Sequence, residues 1–152
     1  MDSQPEQSEQ PEKPEQPKLP FSTFDLQKPL ADAIKKIGFE YCTPIQAESL
    51  VHTLQGHDVT GKAQTGTGKT AAFLITIIDD LLSNPIEEER YIAEPRALIV
   101  APTRELAQQI ASDAQLLTDG CDVSVVTLVG GEDYAKQNRA LEKYFSFLVQ
   151  TR

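Results

Sequence analysis

Cysteine is scarce in this sequence of 152 residues, which holds only Cys42 and Cys121. The two lie far apart and match no Cys-x-x-Cys or mixed cysteine and histidine spacing, so neither a zinc site nor a disulfide framework is indicated. The sequence also lacks an apolar run of transmembrane length, and its N-terminus lacks the apolar segment of a signal peptide. We therefore expect a cytoplasmic protein with reduced thiols and no membrane association.

Positive charge is in deficit as well, with 14 Lys and Arg residues against 23 Asp and Glu residues and a formal net charge of -9. Such a balance argues against a protein that holds nucleic acid through bulk charge. Any contact with nucleic acid has to be local and made by a few placed groups. The length supports one ordinary core at most, which excludes a two-domain motor within these residues.

Residues 1–20 form a compositionally distinct segment that is rich in Pro, Gln and Glu and has no aromatic side chain. Such a segment buries too little apolar surface to offset its chain entropy, which predicts a disordered tail. A spacer or a weak partner site is the alternative interpretation. The remaining residues, 21–152, are expected to form the folded part.

Apolar residues recur at helical spacing from Leu26 to Ile37, and Gly38 marks the end of this helix. Thr43-Pro44-Ile45-Gln46 matches a capping box and begins a second helix. Further on, short strands alternate with helices, which predicts an open α/β fold with a parallel sheet. The expected elements are a strand at 58–63, a loop at 64–68, a helix at 69–82, a strand buried on both faces at 96–101, a helix at 103–117, a strand at 123–129, a turn at 130–131, a helix at 133–143 and a final strand at 145–149.

The segment from 63 to 70 carries the clearest chemical signal, because glycines between a strand and a helix let backbone N–H groups converge on phosphate oxygens. Lys69 would neutralise the β- and γ-phosphates, and the Thr70 hydroxyl would bind Mg²⁺. The pattern predicts a site for ATP or GTP, and a glycine-rich turn that merely caps a helix is the alternative. The predicted nucleotide-binding residues of this loop are Ala63, Gln64, Thr65, Gly66, Thr67, Gly68, Lys69 and Thr70.

The base of the nucleotide is indicated by Gln46 and Phe24. A glutamine amide can accept from the adenine N6 amine and donate to N7, which guanine cannot match, and an aromatic ring can stack on a purine. A helix cap for Gln46 and a core position for Phe24 are the structural alternatives.

A polar turn at Pro102-Thr103-Arg104 follows directly on the strand at 96–101. Ligands bind at the carboxyl ends of strands in open α/β sheets, and a helix N-terminus with a hydroxyl and an arginine can hold a phosphodiester backbone. An N-cap with a surface ion pair is the alternative. Gly130-Gly131 also follows a strand and would allow close approach of a ligand, although two glycines there are also typical of a plain turn.

These motifs, in this order, resemble those of the DEAD-box ATP-dependent RNA helicases. Segment 38–46 with Phe24 resembles their Q motif, 63–70 resembles motif I, 102–107 resembles motif Ia and 130–131 resembles their GG doublet. The resemblance spans residues 19–143. It implies a RecA-like P-loop NTPase domain, of which residues 21–152 would be an incomplete, N-terminal part.

Within the family, segments 39–46, 95–107 and 130–137 look most like the bacterial RhlB branch, whose members are associated with RNA degradation. The resemblance implies ATP and Mg²⁺ as cofactors, with Lys69 and Thr70 as the catalytic candidates. It implies sequence-independent contacts with the RNA backbone and an endoribonuclease of an RNA degradosome as partner. The RNA-binding residues it implies are Pro102, Thr103, Arg104, Gly130 and Gly131.

The sequence departs from the family in its last part. It contains no Asp-Glu-Ala-Asp segment, whose carboxylates would hold Mg²⁺ and orient the attacking water in relatives. After Lys143 the resemblance is expected to fail and the expected strand to be replaced, which we interpret as a shifted reading frame or a truncated gene. The chain alone is therefore expected to bind ATP without turnover or unwinding, and a non-catalytic ATP- or RNA-binding fragment is the alternative function.

Overall fold

The computed structural model describes residues 18–86, 93–142 and 145–151. Nearly all of the expected N-terminal tail, residues 1–17, lies outside the described residues, as do 87–92 of the polar loop and Lys143 at the expected helix end. The elements, in chain order, are a 3-10 turn at Phe21–Thr23, α1 at Lys28–Lys36, α2 at Pro44–Thr53, α3 at Lys69–Ser83, β1 at Ala97–Ala101, α4 at Arg104–Leu117, β2 at Val125–Leu128, α5 at Tyr134–Leu141 and β3 at Phe147–Thr151.

The helix boundaries follow from local chemistry. The hydroxyl of Thr43 accepts from the backbone N–H of Gln46, and the Gln46 side chain accepts from the backbone N–H of Thr43, so the predicted capping box is present. Thr103 and Asp133 cap α4 and α5 in the same way through a side-chain oxygen. Gly38, just past α1, has the positive φ of 84° that ends a helix at little cost.

The sheet is parallel and has the order β1-β3-β2, so the strand that comes last in the sequence lies in the middle. Val149 pairs with Ile99 of β1 on one side and with Thr127 of β2 on the other. Phe147 and Val149 enter the main core with α1, α2, α3 and α4, whereas Leu148 enters a second cluster beside α5. Helices therefore cover both faces of the sheet, as in an open α/β fold.

The final strand predicted at 145–149 is confirmed, with the bounds Phe147–Thr151, and it is the central strand of the sheet. Its apolar residues serve both faces of the sheet in alternation, and two of them, Phe147 and Val149, are fully buried. The interpretation of this region as a shifted reading frame or a truncated gene stays a prediction.

Two other expectations are corrected. Residues 58–63 form no strand, and most of them are exposed. The segment pairs with none of the described strands, and a strand needs such a neighbour to pair its backbone groups. Strand β1 is not buried on both faces, since Leu98 and Val100 are each 54% exposed. Helix α5 covers β2 and β3 on that face, and no described element covers β1 there.

The topology places the candidate residues at one edge. Because the three strands are parallel, the segment after β1, 102–104, and the segment after β2, 129–131, lie at the same edge of the sheet. Among the helices of the described ranges, none is both long and apolar enough to span a membrane.

Candidate functional site

The loop at 63–68 leads into α3 through two glycines with positive φ, Gly66 at 79° and Gly68 at 89°. Gly68 is the N-cap of α3, and no side chain accepts from the first-turn N–H groups of this helix. A helix start of this kind offers free N–H donors and a positive dipole end, which suit a phosphate. The Lys69 ammonium donates to the carbonyl oxygen of Ala63, so it lies over the same loop.

The capping box of α2 contacts the phosphate loop directly. The Thr43 hydroxyl donates to the carbonyl of Thr67 at 2.7 Å, and the Gln46 amide nitrogen donates to the carbonyl of Gly68 at 3.1 Å. A side chain at position 68 has no room, because a Cβ there would lie 2.4 Å from that amide nitrogen. The structure thus brings Gln46 together with the loop, and the interpretation of Gln46 as a cap and its interpretation as a site residue are compatible.

Gln46 as a whole is only 3% exposed, yet the hydrogen-bonding capacity of its side-chain amide is not exhausted. Its oxygen accepts from the Thr43 N–H at 2.9 Å, and its nitrogen donates one proton to Gly68. An amide oxygen has two lone pairs and an amide nitrogen two protons, so one acceptor and one donor remain.

Burial raises the pKa of the neighbouring Cys42 thiol to about 11, so this thiol stays protonated at neutral pH.

Phe24 lies at the end of the 3-10 turn, half-buried against the main core. Sequence reasoning missed Phe21, which is 5% exposed and stacks on Phe39 with ring centroids 6.1 Å apart. Its backbone N–H also donates to the carbonyl of Glu40 at 3.2 Å, so Phe21 ties the chain start to segment 38–46. The spacing of two aromatics in Phe21-Ser-Thr-Phe24 was the available signal, but it does not say which ring faces inward.

The turn after β1 has both the N-cap and the surface ion pair that were considered for it. The Thr103 hydroxyl accepts from the Leu106 N–H at 3.2 Å and caps α4, and Arg104 forms an exposed ion pair with Glu105 at 3.5 Å. Pro102, Thr103 and Arg104 are all exposed at the sheet edge. A weak surface ion pair of this kind leaves the guanidinium available to a phosphate.

The glycine doublet lies against this turn. Gly131 has a φ of 81°, and a Cβ there would lie 2.9 Å from Nη1 of Arg104. Two glutamines that sequence reasoning missed fix the doublet: Gln108 donates to Glu132 at 2.6 Å, and Gln137 binds the backbone of Val129. The structure therefore brings Thr103, Arg104 and Gly131 together, as expected of a shared surface.

The residues present fit a nucleotide better than they fit a metal on their own. No group of three or more His, Cys, Asp or Glu residues within the described ranges is arranged to hold a metal ion. Thr70, partly buried in the first turn of α3, offers one hydroxyl ligand. Mg²⁺ binds in proteins through few side chains together with phosphate oxygens, so a single hydroxyl at the phosphate loop fits this cation.

The sequence and structure are similar to proteins of one family. The model of the DEAD/DEAH box helicase family matches residues 43–152. The match includes β3, so the family resemblance does not fail after residue 143. The solved structure of the RNA helicase Prp28 from Chaetomium thermophilum bound to ADP is similar, with a TM-score of 0.73 and 37% sequence identity. The similarity covers 87% of this chain and 32% of the Prp28 chain.

Curated relatives are similar over the same region. ATP-dependent RNA helicase RhlB of Pseudomonas aeruginosa (strain UCBPP-PA14) is 57% identical over 132 residues, 86% of this chain and 33% of the relative. The RhlB protein of Shewanella woodyi (strain ATCC 51908 / MS32) is 50% identical over 131 residues, 86% of this chain and 30% of the relative. The chain thus spans about a third of the length of the curated relatives it matches.

Proposed function

Because the chain belongs to the DEAD/DEAH box helicase family, we propose that it is the adenine-nucleotide-binding part of an ATP-dependent RNA helicase. The observation that supports this most directly is the pair of hydrogen bonds from Thr43 and Gln46 to the carbonyls of Thr67 and Gly68. They join a potential base-reading glutamine to a phosphate-binding loop. Base and phosphates of one nucleotide are thereby recognised by one connected unit.

The phosphates lie at the start of α3 in this proposal. The backbone N–H groups of loop residues 63–68 hold the phosphates, and Lys69 supplies the positive charge. Lys69 exchanges the carbonyl of Ala63 for phosphate oxygens when nucleotide binds, because an ammonium interacts more strongly with an anion than with a neutral carbonyl. Thr70 supplies a hydroxyl to Mg²⁺, which when bound would neutralise charge on the β- and γ-phosphates.

The base is adenine in this proposal. The remaining acceptor and donor of the Gln46 amide match N6 and N7 of adenine, whereas guanine presents an acceptor where the glutamine oxygen needs a donor. Phe24 supplies the stacking ring, since its half-buried position leaves part of the side chain accessible.

RNA binds along the sheet edge through its backbone. Thr103, Arg104 and Gly131 lie together there, with Pro102 and Gly130 as the adjoining residues. Backbone contacts fix position and carry no direct sequence information, which fits a chain with a net charge of -9 and a few placed groups. The whole protein would unwind short RNA duplexes with ATP in the cytoplasm, in RNA degradation with an endoribonuclease as partner.

Binding without turnover is the activity we propose for the 152 residues by themselves. They contain no Asp-Glu-Ala-Asp segment, so the carboxylates needed to hold Mg²⁺ and orient water are missing from this sequence. A fragment that binds ATP and RNA without catalysis is the second candidate function, and that same observation favours it.

Calorimetric titration of the chain with ADP, ATP and GDP in the presence of Mg²⁺ tests the nucleotide site. We expect ADP to bind about tenfold more tightly than GDP, the size of effect that a lost hydrogen-bond pair produces. Gln46→Ala should remove the preference for adenine, and Lys69→Ala should weaken both bases alike. Gln55→Ala, an exposed glutamine just past α2, is the matched control. Equal affinity for ADP and GDP in the unaltered chain would contradict base recognition, and absence of binding would contradict the nucleotide site.

A further inference from the structure

The side-chain amide of Gln137 binds both backbone groups of a single residue, Val129. Its oxygen accepts from the Val129 N–H at 2.9 Å, and its nitrogen donates to the Val129 carbonyl at 3.1 Å. A primary amide presents its donor and acceptor side by side in one plane, so it can pair with a residue's backbone as a neighbouring strand does. Gln137 lies in the middle of α5 and reaches back over eight residues to make this pair.

Val129 is the first residue past the end of β2 at Leu128. It is 4% exposed, so its N–H and carbonyl would be buried without a partner if the glutamine were absent. Gln137 therefore extends the ordered backbone by one residue beyond the ladder. The next two residues are Gly130 and Gly131, which have no side chains to hold their own conformation.

A second tether holds the far side of the same turn. The Gln108 side chain, on α4, donates to the Glu132 carboxylate at 2.6 Å, and Asp133 caps α5 by accepting from the Lys136 N–H at 3.1 Å. The turn at 130–131 thus has an anchor on each side, and it lies so close to Arg104 that a Cβ at Gly131 would be 2.9 Å from Nη1.

We infer that Gln137 is a positioning residue for RNA, one that holds the Gly130-Gly131 turn in register with Arg104 so that both meet the same stretch of RNA backbone. This rests on the RNA surface proposed above. Gln137 acts through the turn in this arrangement, since the two bonds hold its amide on the backbone of Val129. A flexible doublet would have to be ordered at the moment of binding, and that ordering lowers affinity.

The experiment uses the ¹⁵N-labelled 152-residue chain and a single-stranded oligouridylate of about ten nucleotides, titrated at low salt and followed by amide chemical shifts. Gln137→Met keeps the length of the side chain and removes both hydrogen bonds. Asn138→Ala, an exposed neighbour in the same helix, is the matched control, and ADP affinity is measured for every variant. All titrations are made well below the melting temperature of the least stable variant.

We expect Gln137→Met to weaken RNA binding about five- to tenfold, the loss that two hydrogen bonds of positioning produce. The Val129 amide proton should exchange faster with solvent in this variant, and ADP affinity should stay within about twofold. A residue that only stabilises the fold would shift the melting temperature and leave the ratio of RNA to ADP affinity unchanged. RNA affinity equal to that of the Asn138→Ala control would overturn the inference.

Two further variants separate this inference from the function on which it rests. If Arg104→Ala weakens RNA binding and Gln137→Met does not, the RNA surface stands and the positioning role is wrong. If the unaltered chain shows no RNA-induced shifts at Gly130, Gly131 and Arg104, the RNA surface itself is wrong and the positioning role falls with it. Should Gln137→Met fail to fold, RNA binding is measured with Gln108→Met instead. This variant removes the exposed hydrogen bond between Gln108 and Glu132 and should also weaken RNA binding.

Discussion

The side-chain nitrogen of Gln46 lies 3.1 Å from the carbonyl oxygen of Gly68, across a sequence separation of 22 residues. This hydrogen bond joins the first turn of α2 to the N-cap of α3. Any movement of the phosphate loop therefore has to displace a side chain that is almost fully buried. A change of conformation at the phosphate loop would therefore move the residue that recognises the base, and a change at that residue would move the loop.

Gly68→Ala is predicted to abolish nucleotide binding and to destabilise the fold. The new Cβ would lie 2.4 Å from the Gln46 amide nitrogen, on a backbone with a φ of 89°. Gly56→Ala is the matched control, because its φ is 81° and nothing lies within 4 Å of the position of a Cβ. Both variants carry the backbone cost of about 1 kcal/mol for a positive φ, so a difference between them reports the contact with Gln46. ADP titration and thermal unfolding of both variants measure it, and equal ADP affinity in the two would contradict the prediction.

Phe24→Leu is predicted to weaken ADP binding by a factor of roughly three to ten, because it removes the stacking ring and keeps apolar bulk. Phe39→Leu is the comparison, since Phe39 is 40% exposed and its ring stacks on Phe21. Calorimetry on both variants gives the result. Weaker binding in Phe39→Leu alone would transfer the stacking role to the Phe21 and Phe39 pair.

Neighbouring positions of β1 are predicted to respond very differently to truncation. Ile99→Ala should lower the free energy of unfolding by about 2–4 kcal/mol, because Ile99 is 8% exposed and belongs to the main core. Leu98→Ala should cost less than about 1 kcal/mol, since that side chain is 54% exposed. Urea unfolding of the chain measures both. A larger loss for Leu98 than for Ile99 would mean that the outer face of β1 is covered.

Alkaline pH is predicted to destabilise the fold partly through Cys42. Its pKa is raised by burial from 9.0 to about 11, whereas in the unfolded chain it ionises near the ordinary value. The stability that depends on the protonated thiol is complete below the unfolded pKa and is lost as the pH rises from 9 towards 11. The urea midpoint should therefore fall further between neutral and alkaline pH in the unaltered chain than in Cys42→Ala. Parallel curves for the two proteins would show that Cys42 does not contribute.

Local signatures in the sequence account for the features that were predicted correctly. The capping box Thr43-Pro44-Ile45-Gln46 and the loop at 63–70 each carry their chemistry within a few residues, so their structure could be derived without the rest of the fold. The contact between Gln46 and Gly68 could not, because it depends on how α2 packs against α3.

The errors arose where an element depends on its neighbours. Residues 58–63 hold only two residues typical of strands, Val59 and Thr60, and a strand also needs a paired neighbour, which none of the described strands provides. The strand at 96–101 was predicted to be buried on both faces, but Leu98 and Val100 are exposed, because α5 covers only β2 and β3. Gln137 had no local signature at all, because a glutamine inside a polar helix is ordinary until the strand end beside it is known.

The position of β3 between β1 and β2 has a consequence for synthesis on the ribosome. Among the strands of the described residues, β1 and β2 emerge first and do not pair with each other, so their ladders form only after Phe147–Thr151 has emerged. Throughout that delay the apolar residues of 97–101 and 125–128 are without their partner strand, which makes the nascent chain prone to aggregation. The helical N-terminal half can condense early, whereas the sheet assembles in a single late step when its central strand arrives.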